Sequence, residues 1–375
     1  MHTSRNPTTA PMDHAAVTHV NPLKRWNSFV IPAYFLLALA LVFFANPAPA
    51  ADKFKTCWSH YTGWEPWGYA QSKGILKKWA DKYGIEIEMT LVNDYVESIN
   101  LYTAGNFQAC AMTNMDALDI PAVGGVDSQV IIVGDYSNGN DGIVLKNGSS
   151  VKDIKGRDVL LVELTVSHYL LARALDKNGL SEKDIKTVNT SDADIASVFL
   201  STPANAVVTW NPPLQQVRNA KGAKLVFDSS QIPAEILDLM VVKTDADERL
   251  KKALTGAWFE MMGILAKGDQ NTKQFVADLA AQAGSTEAEF KAQLATTKLF
   301  YTPKEALDIA TAPALKETMQ HVRDFSFAKG LFGNGAASAD FVGIEFPDKT
   351  VLGSKRNVKL RFSDTYMKMA AEGKL

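Results

Sequence analysis

The chain lacks most of the residues and motifs that mark catalytic, metal-binding or nucleic-acid-binding proteins. It holds two cysteines and six histidines in 375 residues. Cys57 and Cys110 do not have the CxxC spacing of a redox or zinc motif. Beyond residue 50 the histidines are His60, His168 and His321, too scattered to predict a metal-ligand cluster. No phosphate-binding glycine loop, dinucleotide glycine pattern or nucleophile elbow occurs, so neither a cofactor nor catalysis is expected. With 39 Lys and Arg against 41 Asp and Glu, and no clustered basic excess, a nucleic-acid partner is excluded. Two cysteines cannot staple a fold of this length, so a hydrophobic core must hold it. Each lies in an apolar strand-like run, FKTCWS and FQACAMT. Two buried thiols are the expectation, although an oxidising compartment allows a disulfide.

One long apolar run is present. FVIPAYFLLALALVFFA, residues 29–45, follows Lys24 and Arg25 and precedes NPAPAAD, where Ala48 and Ala50 occupy small-residue positions. This order predicts a signal peptide over residues 1–50, cleaved after Ala50, with Met12 as an alternative start. An uncleaved anchor is the competing reading, but Pro32 and the small-residue exit favour cleavage. Loss of Arg5, Lys24 and Arg25 against Asp13 moves the formal charge from −2 to −4. The expected product is a free periplasmic monomer.

From Phe54 onward, strand and helix patterns alternate. FKTCWS, a helix over residues 67–83, IEIEMTLV, YVESINLYTAG, FQACAMT, MDALDIPAVG and QVIIVGDY form one unit. After SNGNDG the pattern restarts with DVLLVEL, VSHYLLARALDKNG, IKTVNT, DADIASVFLS, NAVVTW and KLVFDSS, and LDLMVVKTD returns. Such alternation predicts α/β lobes with mostly parallel sheets flanked by helices. The expected division is lobe 1 over residues 51–138, lobe 2 over 139–235, and a return to lobe 1 with a C-terminal helical extension over 236–375.

An aromatic loop after the first strand, TAG-x-FQACAMTNMDAL, V-x-DIKGR-x-V, S-x-x-x-LLARAL-x-x-x-GL and a strand ending in TWNPP occur in that order. Together they resemble the periplasmic solute-binding proteins of the nitrate, sulfonate and taurine type of ABC importer. YTGWEPWGYA, TNMDAL and TWNPP further resemble the subgroup associated with urea carboxylase clusters, whose solute is guanidine or a urea-like compound. The resemblance implies a two-lobe periplasmic binding protein of type II with hinge crossovers, an interlobe cleft and an ABC permease as partner. A related fold serves a pyrimidine synthase, but the cysteine-rich run that marks it is absent here.

In open α/β sheets, ligands bind beyond the carboxyl ends of the strands. Those positions hold Tyr61, Trp64, Glu65 and Trp67 after the first strand, Asn93, Asp94 and Tyr95 after the second, and Thr113, Asn114 and Asp116 after the third. Asp135 and Tyr136 follow the fourth, Glu163 and Thr165 open the first helix of lobe 2, and Trp210 and Asn211 end a later strand. The set is aromatic and acidic, without Lys or Arg. Tyr61, Trp64, Trp67, Asp94, Asn114, Asp116, Asp135, Glu163 and Trp210 are the predicted ligand residues. Glu163 either fills the anion position at the helix start or caps that helix.

Guanidinium suits this set. It is flat, permanently charged and edged with N–H donors that match carboxylates, and its faces can lie against aromatic rings. Urea, a sulfonate such as taurine, nitrate and a pyrimidine thiamine precursor are the alternatives; these would require the acids to act as caps and ion-pair partners instead.

Overall fold

The computed structural model describes residues 51–375; the export signal expected over residues 1–50 lies outside the described residues. The apolar runs become strands in two sheets. In the first unit these are β1 (Asp52–Trp58), β2 (Ile85–Leu91), β3 (Ala109–Thr113) and β4 (Ser128–Ser137). The second unit supplies β5 (Asp141–Leu145), β6 (Asp158–Leu161), β7 (Lys186–Asn189), β8 (Ala206–Trp210) and β9 (Lys224–Asp228). The chain then returns through β10 (Leu237–Lys243), adds β11 (Thr297–Leu299), and ends with β12 (Gly343–Glu345), β13 (Val351–Gly353) and β14 (Val358–Phe362).

The larger sheet runs β13-β12-β14-β4-β10-β3-β1-β2, with β11 also on β4, and the smaller runs β7-β6-β8-β5-β9. All five residues of β3 and of β8 are buried, as expected of strands covered on both faces. The mixed α/β class with two sheets flanked by helices is the one the sequence predicts. The parallel character is less complete than expected. β10 runs antiparallel to both β3 and β4, and β5 antiparallel to β8 and β9. The reason is topological: a chain that leaves one sheet and comes back beside its own exit strand must run the opposite way.

Two short crossings join the sheets, at residues 138–140 and 229–236. Hydroxyls knit them together. Ser137 Oγ lies 2.6 Å from Ser229 Oγ, which also accepts the Gly139 N–H at 2.7 Å. Gly139 has φ 108°, a backbone that residues with a Cβ rarely adopt.

Three expectations need correction. The helix expected over residues 67–83 is two helices, Glu65–Ser72 and Ile75–Lys82, separated at Gly74. The C-terminal region is not a purely helical extension, because β14 pairs in parallel with β4 and carries β12 and β13 beyond it. Their brevity hid them among the helices. The cysteines are joined rather than free: Cys57 and Cys110 are register partners on β1 and β3 with Cα atoms 4.5 Å apart, and they form a disulfide. Their sequence separation is 53, so the bond removes considerable freedom from the unfolded chain.

Replacing both cysteines with alanine should lower the unfolding free energy by about 2–4 kcal/mol without abolishing the fold. Urea unfolding of the oxidised protein and the double variant measures it; equal midpoints would show that the bond contributes nothing.

Candidate functional site

The carboxyl ends of β1, β3, β4 and β8 face a gap between the two sheets, and aromatic rings from both sides fill much of it. Tyr61 and Trp64 lie in the loop after β1, a tight turn in which the Trp64 N–H donates to the Tyr61 carbonyl at 2.8 Å. Their ring centroids are 5.0 Å apart. Trp64 also meets Tyr95, at 5.4 Å, and Tyr95 meets Trp210 of the smaller sheet edge-on at 5.5 Å. Trp210 is anchored across the gap, its Nε1–H donating to the His60 carbonyl at 3.2 Å. All four rings are buried. Between them lies a narrow space, to which Asp141 and Asp238 also contribute walls.

Carboxylates dominate the polar side of this gap. Asp135 and Asp238 are direct partners across the β4–β10 ladder, both buried, and Asp135 accepts the Tyr61 hydroxyl at 3.1 Å. Burial raises the pKa of each, and in Asp238 the neighbouring Asp135 charge raises it further. Two such acids side by side retain a shared proton. Asp141, which opens β5, is pushed up to about 7 by burial, partly offset by Ser137 and reinforced by Asp116. Asp116 is raised to about 6 by burial, despite hydroxyls of Tyr95 and Thr113 each donating to it at 2.7 Å. Among the described residues, no Lys or Arg forms an ion pair with any of these four aspartates. Asp116 Oδ1 accepts no hydrogen bond within the protein, and Asp135 Oδ2 and Asp238 Oδ2 accept none from any residue outside the pair.

Gly63 makes this close approach possible. A Cβ at that position would sit 2.5 Å from Asp135 Oδ2, so any other residue would push the aromatic loop off the acid pair.

Of the predicted ligand residues, Tyr61, Trp64 and Trp210 line the gap, with Asp116 and Asp135 directly behind its walls. The others are placed differently. Trp67 lies deeper, stacked on Trp258 at 5.1 Å. Asn114 is a tether: its amide donates to the Glu235 carbonyl at 3.1 Å and its oxygen accepts the Leu237 N–H at 3.0 Å. Asp94 caps the helix Tyr95–Thr103 through the Glu97 N–H, and its second oxygen accepts the Ser191 hydroxyl at 2.8 Å from the opposite side. Glu163 is partly exposed and does not wall the gap. It lies two residues ahead of Thr165, the actual N-cap of the helix Val166–Lys177, so it is outside the first turn. The carboxylate drawn toward that helix start is Asp116, whose pKa the Val166 N–H lowers, although the contact falls short of an ordinary hydrogen bond and leaves Oδ1 unpartnered. His168 is buried, and burial lowers its pKa to about 4.

Tyr95, Asp141 and Asp238 complete the site but are not among the predicted residues. Asp238 had a readable signal, a lone charge inside the apolar run LDLMVV, as did Asp141 at the head of GIVL.

Comparison with known proteins places this geometry in context. Residues 69–244 match the family model described as NMT1/THI5 like. The taurine-binding periplasmic protein of Escherichia coli (strain K12) is 22% identical over 301 residues, spanning 77% of this chain and 91% of that protein. The alkanesulfonate-binding protein SsuA from Xanthomonas axonopodis pv. citri, solved bound to MOPS, superposes with a TM-score of 0.61 at 17% identity, covering 76% of this chain and 96% of that one. The periplasmic nitrate-binding protein NrtA from Synechocystis PCC 6803 gives 0.55 at 13% identity, covering 86% and 99%. The fold is that of the periplasmic binding proteins.

A carboxyl with a raised folded-state pKa keeps a proton that the unfolded chain has already released. Its protonated form therefore favours folding at low pH, and that contribution is lost as pH rises through the folded value. Asp116→Asn and Asp141→Asn should each melt several degrees above the unaltered protein at pH 8, where about 1 kcal/mol corresponds to roughly 2–4 °C. The difference should shrink at pH 5; thermal melts of the ligand-free proteins at both pH values test this, and a constant difference would show that these acids do not titrate in that window.

Proposed function

We propose that the chain is the exported receptor of an ABC importer, and that it captures a small, planar, nitrogen-rich cation, with guanidinium the best match. The observation that carries this reading is the set of four buried aspartates, Asp116, Asp135, Asp141 and Asp238, around an aromatic gap with no basic partner among the described residues. Buried carboxylates are costly unless paired. A cation that enters the gap supplies the missing charge, and N–H donors along its edge reach oxygens that the protein leaves unpartnered. The rings of Tyr95 and Trp210 offer faces to a flat cation, each worth on the order of 0.5–2 kcal/mol depending on desolvation.

In this reading, residues 51–138 and 236–375 form one lobe and 139–235 the other. The lobes close as a monomer over the solute and deliver it to a membrane permease. Contacts across the gap support the closing motion: the Tyr95 N–H donates to Asp192 at 3.2 Å, and Ser191 to Asp94. Export by a cleaved leader agrees with the residue pattern before Ala51. Binding is also what the name of the taurine-binding relative describes.

A second reading is favoured by that similarity to taurine- and sulfonate-binding proteins. An anion would require free N–H groups or basic side chains, and here the approach to the helix Val166–Lys177 is taken by Asp116. Neutral urea supplies no charge to the acid pair.

Calorimetry at pH 8 with guanidinium, urea, taurine and nitrate separates the readings. Guanidinium should bind with micromolar or tighter affinity, about −8 kcal/mol or better, and more weakly at pH 5, where the acids regain protons. Asp238→Asn should cost roughly 2–5 kcal/mol of binding. Binding of taurine or nitrate alone would end the cation reading.

A further inference from the structure

A second space lies behind Trp64. It lies between β4, β10 and the helices Glu65–Ser72 and Glu248–Lys267. Its walls are chiefly apolar, from Trp67, Trp258, Ile132, Leu239 and Met240, but Asp135 and Asp238 also border it. Trp64 and Asp238 wall this inner space and the outer gap alike, so these two side chains stand between the two.

Each space is tight between its packed walls. Each leaves room for about one water molecule, too little for a planar ion of four heavy atoms. The outer gap therefore cannot take guanidinium with every ring in place. One of the rings must yield, and the bonding pattern identifies it. Trp210 is fixed by its hydrogen bond to the His60 carbonyl, whereas Trp64 Nε1 is buried with no partner, as is Trp258 Nε1. Displacing Trp64 breaks no side-chain hydrogen bond and joins the two spaces.

We propose that the joined spaces form one chamber and that its solute is a guanidinium carrying one small N-alkyl group, with the cation between the rings and the alkyl group behind Trp64. This rests on the cation-receptor reading above and narrows it. The division of labour follows from the walls. A bare guanidinium has only polar edges and gains nothing from Ile132, Leu239 and Met240. An N-methyl group removes that apolar surface from contact with water while leaving N–H donors for Asp135 and Asp238. A methyl is also the alkyl group nearest in size to the room available. The competing occupant of the inner space is an ordered water bound by the same carboxylates.

The test is calorimetry of the unaltered protein with guanidinium, N-methylguanidinium and N-ethylguanidinium at pH 8. N-methylguanidinium should bind at least as tightly as guanidinium. If guanidinium binds and the methylated ion binds more weakly, the inner space belongs to water and this inference is overturned, while the receptor reading stands. If neither ion binds, the receptor reading fails and the inference fails with it.

Two variants act in opposite directions. At Gly134 a Cβ would meet Trp258 Cζ2 at 2.8 Å, so Gly134→Ala should press that ring into the inner space and weaken N-methylguanidinium at least fivefold more than guanidinium. Trp67→Phe should enlarge the space and improve N-ethylguanidinium relative to guanidinium by a similar factor. Ratios unchanged in whichever variants fold would overturn the assignment.

Discussion

The arrangement between the two sheets depends on one electrostatic debt: four carboxyl groups are taken out of water with no positive partner among the described residues. Hydroxyls of Tyr61, Tyr95 and Thr113 relieve part of it. The remainder is carried as retained protons, which is why burial moves these acids toward neutral pH. Such a cluster is poorly suited to stabilising a fold, since apolar residues of the same volume would do so better. It is suited to a gap that a charge of opposite sign visits.

The scaffold holds this unfavourable cluster in place through the two crossings. β4 and β10 carry Asp135 and Asp238 as direct partners and also continue into the segments that join the lobes. Asn114 clasps the return crossing from beneath, while Ser137 and Ser229 tie the outgoing one. Charge and hinge thus lie on the same strands, and neutralising the acids acts at the place where the lobes meet.

Much of this was legible before any coordinates. The alternation of apolar runs indicates two α/β units, and WSHYTGWEPWGYA indicates an aromatic wall because glycine and proline crowd large rings into a turn. The acidity of the strand-end loops, without Lys or Arg, agrees with the proposed cation site. What sequence could not supply was register. That Asp238 faces Asp135, or Cys57 faces Cys110, is decided by which strands pair, and no local pattern encodes a partner more than fifty residues away. Glu163 illustrates the same limit. Two residues separate it from the N-cap, and that offset puts it outside the turn whose anion position Asp116 approaches from the other lobe. Trp67 was readable as part of the aromatic loop but not as the inner layer, because depth depends on the helix that packs over it.

The pairing of β4 also bears on the order in which the molecule can assemble. Every strand that hydrogen-bonds to β4 comes later in the chain: β10, β11 and β14. The smaller sheet is complete by Asp228, whereas the larger one awaits Phe362. A chain that emerges amino end first must therefore finish its middle lobe while the strand bearing Asp135 is still unpaired, and contacts that span so much sequence form slowly. For more than a hundred residues of synthesis, a largely apolar ten-residue strand has no partner of its own, and a chaperone or a neighbouring chain has its best opportunity to bind there.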